Sequence, residues 1–201
     1  MVAPARLACP VTASTAPPAV RRASDGEAVP PVEARQEWAA AARPVLEAVA
    51  GRYNATISYV ELADAVQERA GITTEQQVRH WIAPVLQIVS QGCEERSEPL
   101  LAALAIRADG NVGPGYATAV GTVRGEKPED PEMHAAIERL ECYRAHGAEL
   151  PADGGRPALT PVEHERRQRA ALRASKVIPA RAACPTCQMQ LLTSGVCGTC
   201  D

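Results

Sequence analysis

The chain has 201 residues, with 21 Lys and Arg against 24 Asp and Glu and an apolar fraction of 46%. That is enough for one sizeable domain and a small satellite. Aromatic residues are only 3%, with no Phe, so the core rests on Leu, Val, Ile and Ala, and a stacking platform for single-stranded nucleic acid is disfavoured. A net charge of −3 argues against a protein that coats nucleic acid by bulk charge.

Residues 1–34 hold six Pro and few large apolar side chains, too little to offset ordering entropy, and read as a disordered tail. From Arg35 to Ala50, Trp38, Ala42, Val45, Leu46 and Val49 recur at helical spacing, with Pro44 inside and Gly51 as the stop. Ala55–Tyr59 reads as a short strand. Ser58 and Glu61 then form a capping box for a helix over Tyr59–Ala70, closed by Gly71. Thr74 with Gln77 is a second capping box. Val78, Trp81, Ile82, Val85, Leu86 and Val89 continue an apolar stripe, which Pro84 is expected to split into helices of about 74–82 and onward to Arg96. Trp81 lies on that stripe and reads as a core anchor rather than a base-stacking group. The apolar run Leu100–Ile106, the turn signal Asp109-Gly110 and the segment Val112–Tyr116 predict a β-hairpin. A loop over 121–130, a helix over Glu132–His146, a Pro/Gly linker over Leu150–Pro161 and a basic helix over Pro161–Ser175 follow.

The sharpest motif closes the chain. Cys184-Pro-Thr-Cys187, nine residues, then Cys197-Gly-Thr-Cys200 is the spacing of two thiolate turns facing one ion. Four sulfurs suit tetrahedral Zn²⁺, and Gly195 and Gly198 allow sharp backbone at the second turn. Two disulfides, an iron–sulfur site or a redox pair are the alternatives. With all four positions Cys, no site is left for a catalytic water, so the zinc is expected to be structural. The pattern resembles the zinc ribbons at the ends of many nucleic-acid-associated and scaffold proteins.

A second resemblance covers about 60 central residues. Ile57-Ser58-Tyr59-Val60-Glu61-Leu62-Ala63 and the stretch Leu104–Gly110 running to Gly113-Pro114-Gly115-Tyr116 resemble the C-terminal domain of the alkylguanine-DNA alkyltransferases and their alkyltransferase-like relatives. The family's reactive Cys has no counterpart, because Pro99–Ile106 contains neither Cys nor His. What the resemblance implies is a winged helix-turn-helix that binds DNA, with a pocket for an extruded base, and no alkyl transfer. Cys93 reads as a buried apolar residue.

The expected fold is α+β: a tail at 1–34, a winged-helix-like domain at 35–147, a linker with a basic helix at 148–180, and a zinc ribbon at 181–201. Glu75–Ile82 is the candidate recognition helix, presenting Gln76, Gln77, Arg79 and His80 to duplex DNA. The Asp109–Gly110 hairpin would be the wing. Arg166, Arg167, Arg169 and Arg173 belong to a segment, 161–201, that carries net +3. They would hold phosphates; a solvated linker helix or a surface for an acidic protein are the other readings of that stretch. The central charge opposes DNA, since residues 51–120 and 121–160 each carry net −3. No phosphate loop, dinucleotide fingerprint, nucleophile elbow or HExxH pair occurs, and His80, His134, His146 and His164 are scattered. A non-catalytic DNA-binding protein is therefore expected, with a protein-interaction adaptor working through the ribbon and the acidic domain as the alternative. No apolar run reaches the ~18 residues of a membrane helix, no secretory signal is visible, and seven Cys, four in one cluster, suit a reducing cytoplasm.

Overall fold

In a computed structural model, residues 20–175, 183–192 and 195–200 are described. The chain divides into two units, Met1–Thr160 and Pro161–Asp201. In chain order the first unit contains β1 (Val20–Arg22), α1 (Pro31–Ala50), β2 (Ile57–Ser58), α2 (Tyr59–Ala70), β3 (Ile72–Thr74), α3 (Val78–Glu95), a 3₁₀ turn (Leu101–Leu104), β4 (Ala105–Ile106), α4 (Gly115–Arg124) and α5 (Pro131–Ala145). The second contains α6 (Pro161–Ser175) and the cysteine segment. The class is mixed α and β, with helices dominant.

Helix α1 begins on Pro31, where a missing N–H costs nothing, four residues before the expected start. It buries Ala34, Trp38, Ala42, Leu46 and Val49. Over 20–34 the expected tail is instead β1 and the start of α1; residues 1–19 lie outside the described residues. Strand β1 is ordered by pairing with β3, antiparallel, with Val20 opposite Thr74 and Arg22 opposite Ile72.

The capping box of α2 forms as expected: Ser58 Oγ accepts from the Glu61 N–H and Glu61 Oε2 from the Ser58 N–H. Gly71 ends the helix in the left-handed region at φ 63°. The second box does not form. The Thr74 N–H is held by Gln67 Oε1 and the Thr74 hydroxyl accepts from the Gln76 N–H, so Thr74 serves the β3 turn. Helix α3 starts only at Val78 and has no side-chain cap. It also runs unbroken through Pro84. A proline inside a helix costs roughly 3 kcal/mol, whereas burying one aliphatic side chain returns about 1.5–3 kcal/mol. Trp81, Ile82, Val85, Leu86, Val89 and Cys93 are all buried, so the packed stripe outweighs the proline.

Trp81 is a core residue. Its ring centroid lies 4.3 Å from that of Trp38, and Trp38 Nε1 donates to the Ile72 carbonyl at 3.0 Å. These contacts tie α1, α3 and β3 together.

The predicted hairpin over Leu100–Tyr116 is not what forms. Leu101–Leu104 is a 3₁₀ turn, β4 pairs in parallel with β2 (Ile57 opposite Ala105, Ser58 opposite Ile106), and Tyr116 belongs to α4. Leu100–Leu104 are at most 3% exposed, a degree of burial that a two-stranded hairpin with one wet face cannot supply. The Asp109-Gly110 turn itself is present, with the Arg107 N–H bonded to the Asn111 carbonyl and Gly110 at φ 76°. The expected loop at 121–130 is helical as far as Arg124.

Two buried charges on α5 clamp the 3₁₀ turn. Glu138 Oε2 accepts from the Leu100 N–H at 2.7 Å, and Arg139 donates to the carbonyls of Ala103 and Ala158. Arg124 completes the set by donating to Glu138 Oε1 at 2.8 Å. No helix among the described residues is long and apolar enough to cross a membrane.

Candidate metal centre and basic surfaces

The sulfurs of Cys184, Cys187, Cys197 and Cys200 all lie within 4.8 Å of one another. Two tight backbone turns bring them there. In the first, the Cys184 N–H bonds to the Met189 carbonyl at 2.7 Å and the Gln188 N–H to the Cys184 carbonyl at 2.9 Å, with Gln188 at φ 61°. An antiparallel bridge joins Ala183 to Gln190. In the second, the Leu192 N–H bonds to the Val196 carbonyl and Gly195 turns the chain at φ 80°. Gly195 is the glycine this turn needs; Gly198, also expected to serve, is not among the positive-φ glycines.

Backbone donors set the chemistry of the individual thiols. N–H groups of Cys187 and Thr186 pull the Cys184 thiol down to about 6. The Thr199 N–H lies 3.4 Å from Cys197 Sγ and lowers that thiol too. The neighbouring Cys187 and Cys197 sulfurs push Cys200 up to about 11. Thiols bind a cation by releasing their protons. A tetrahedral ion with sulfur at about 2.3 Å needs sulfurs about 3.8 Å apart. The observed Cys187–Cys197 separation of 3.5 Å and the 4.8 Å limit bracket that value, so the donor set fits such an ion with no position left open.

The residues expected to read DNA are placed differently. Gln76 is half-buried and, with Gln77, precedes α3; only Arg79 and His80 lie in its first turn. Both are exposed, and Arg79 Nε donates to His80 Nε2 at 3.1 Å. No separate helix over Glu75–Ile82 exists. On α6, Arg166 and Arg167 both bond to the buried Glu163, whose carboxyl would be raised by burial but is brought below the usual range by those two hydrogen bonds. Arg169 pairs with Glu165, and Arg173 makes no ion pair among the described residues.

The two stretches that carry the alkyltransferase likeness lie side by side. They supply β2 and β4, and the Gly113 N–H donates to the Tyr59 hydroxyl at 3.1 Å. Tyr59, Ala83, Leu86, Ala102, Gly115, Tyr116 and Ala119 enclose a cavity of about 20 Å³ between them, room for one water and not for a nucleobase.

No protein-family model, curated protein or solved structure matches this chain.

The likeness to the alkyltransferases therefore rests on those two short stretches of sequence alone. The four-cysteine cluster stands on its own geometry. Sequence reading missed the buried Glu138 and Arg139, because charged side chains read as surface; the neighbouring apolar Ile137 is 46% exposed.

Proposed function

We propose that this chain is a non-enzymatic DNA-binding protein whose C-terminal ribbon is folded around a structural zinc ion. The zinc assignment rests on four sulfur donors, closed coordination and a segment too short to fold on a core of its own. The observation that carries the DNA reading is the placement of charge: basic residues concentrate on α6, with Arg166 and Arg169 side chains 64% and 67% exposed. Arg79 and His80, exposed at the start of α3, are the proposed groove contacts.

Charge also limits the grip. Zn²⁺ with four thiolates carries about −2, so the phosphate contacts are local to α6 and few. A fluorescence-anisotropy titration with random duplex DNA across a range of salt tests this. Binding through four arginines gives a slope of log K against log salt no steeper than about −3.6. Arg169→Ala and Arg173→Ala should each flatten the slope by about 0.9, and Arg79→Ala should weaken affinity. Absence of binding at low salt overturns the reading.

One observation favours an adaptor for the ribbon itself. Residues 183–200 contain no charged side chain, and Met189, Leu192 and Val196 are 57%, 52% and 45% exposed. Such a surface contacts protein rather than phosphate.

A further inference from the structure

The ribbon sulfurs differ in how far they are protected. Cys184 is 4% exposed, so its sulfur is shielded from a reagent in solution. Cys197 is half-buried and takes one N–H, from Thr199. Cys187 is half-buried, and among the described residues no N–H reaches its sulfur; it lies 3.5 Å from Cys197 Sγ across the two turns. No basic side chain within 183–200 offsets the negative charge of a metal–thiolate centre there. A partly accessible thiolate with a second thiolate close enough to resolve it is the arrangement that peroxide converts to a disulfide.

We propose that Cys187 and Cys197 form a peroxide-oxidisable pair whose closure to a disulfide releases the metal. The Cys187 thiolate attacks one oxygen of a hydroperoxide. The O–O bond breaks, a sulfenic acid forms, and the leaving hydroxide or alkoxide takes a proton. The Cys197 thiolate then attacks the Cys187 sulfur, forming the S–S bond and expelling hydroxide, which leaves as water. Two electrons pass from the two thiolates to the peroxide. With two of its four sulfurs joined, the site would no longer hold a four-coordinate ion, and the ribbon would lose the binding energy that folds it. Cys184 and Cys200 remain as thiols. Reduction of the disulfide by a dithiol and return of Zn²⁺ restore the site.

The inference rests on the metal reading, and metal analysis of the purified full-length chain separates the two. Less than about one equivalent of bound metal overturns both. With metal present, hydrogen peroxide is added beside a chromophoric zinc chelator, and disulfides are mapped by non-reducing peptide mass spectrometry. Metal release that tracks a Cys187–Cys197 linkage, and that reverses with dithiothreitol and Zn²⁺, is the expected result. Metal retained under peroxide, or a linkage within either CxxC turn or involving Cys200, overturns the pair. Cys187→His keeps four tetrahedral ligands and should slow release at least tenfold; release at the unchanged rate overturns it as well.

Discussion

His134 shows what burial does to one titratable group. Removal from water lowers its pKa below the usual 6.5, the Glu138 carboxylate opposing and Arg124 assisting. Its Nδ1 lies 3.0 Å from the Tyr116 hydroxyl, which suits a neutral ring accepting from the phenol. Because the folded pKa is depressed, the unfolded chain binds the proton more readily. Stability is then full above about 6.5 and declines as pH falls from there toward the folded value. Chemical denaturation from pH 7.5 to 5.5 should show this loss, and His134→Phe should remove its part of the slope. An unchanged slope would assign the pH dependence to other groups. At this scale the sequence was informative about the ribbon and silent about the inward charges of α5: four thiols at CxxC spacing read as one metal site, whereas Glu138 and Arg139 look like any surface charges until the 3₁₀ turn they hold is known.

Among the elements, α2 and α3 make an instructive pair. The Ser58–Glu61 box was legible because all its donors and acceptors lie within four residues. Ser58→Ala should cost about 1 kcal/mol, read as a lower midpoint in urea with an unchanged m-value; a neutral result would mean that packing, not the cap, fixes the start of α2. The similar pattern at Thr74 and Gln77 failed because β3 uses the threonine first, and β3 is ordered by a strand more than fifty residues upstream. Pro84 misled for a related reason: its local penalty is real, but the buried stripe around it is worth more. The hairpin failed through burial. A run that is apolar throughout, such as Leu100–Ile106, does not reveal whether it will be a strand or a buried turn, and here the choice is made by contact with β2 and α5.

Over the whole molecule, the apolar core and the candidate metal site fall in different units. The apolar core runs through residues 20–143, from Val20 to Tyr143, while every candidate metal ligand lies in the second unit. Exhaustive chelation should therefore abolish ribbon order and leave the far-ultraviolet helical signal and main thermal transition of the first unit almost unchanged. Loss of that transition on chelation would show that the core depends on the metal. The charge shifts from net −3 in residues 121–160 to net +3 in residues 161–201. The topology of the first unit was not visible in the sequence, because parallel pairing between short segments leaves no periodic trace in either one.

That parallel pairing also fixes an order of events during synthesis. Ile57 and Ser58 leave the ribosome well before their partners, and neither has a strand to bond until Ala105 and Ile106 are free. The segment between them includes α2 and α3, so by the time the strands meet, the helices have had the chance to dock and shorten the loop left to close. The entropy of that closure grows only with the logarithm of loop length, but the contact is non-local and of the kind that slows folding. The nascent chain thus emerges with its helices competent and its strand register still open.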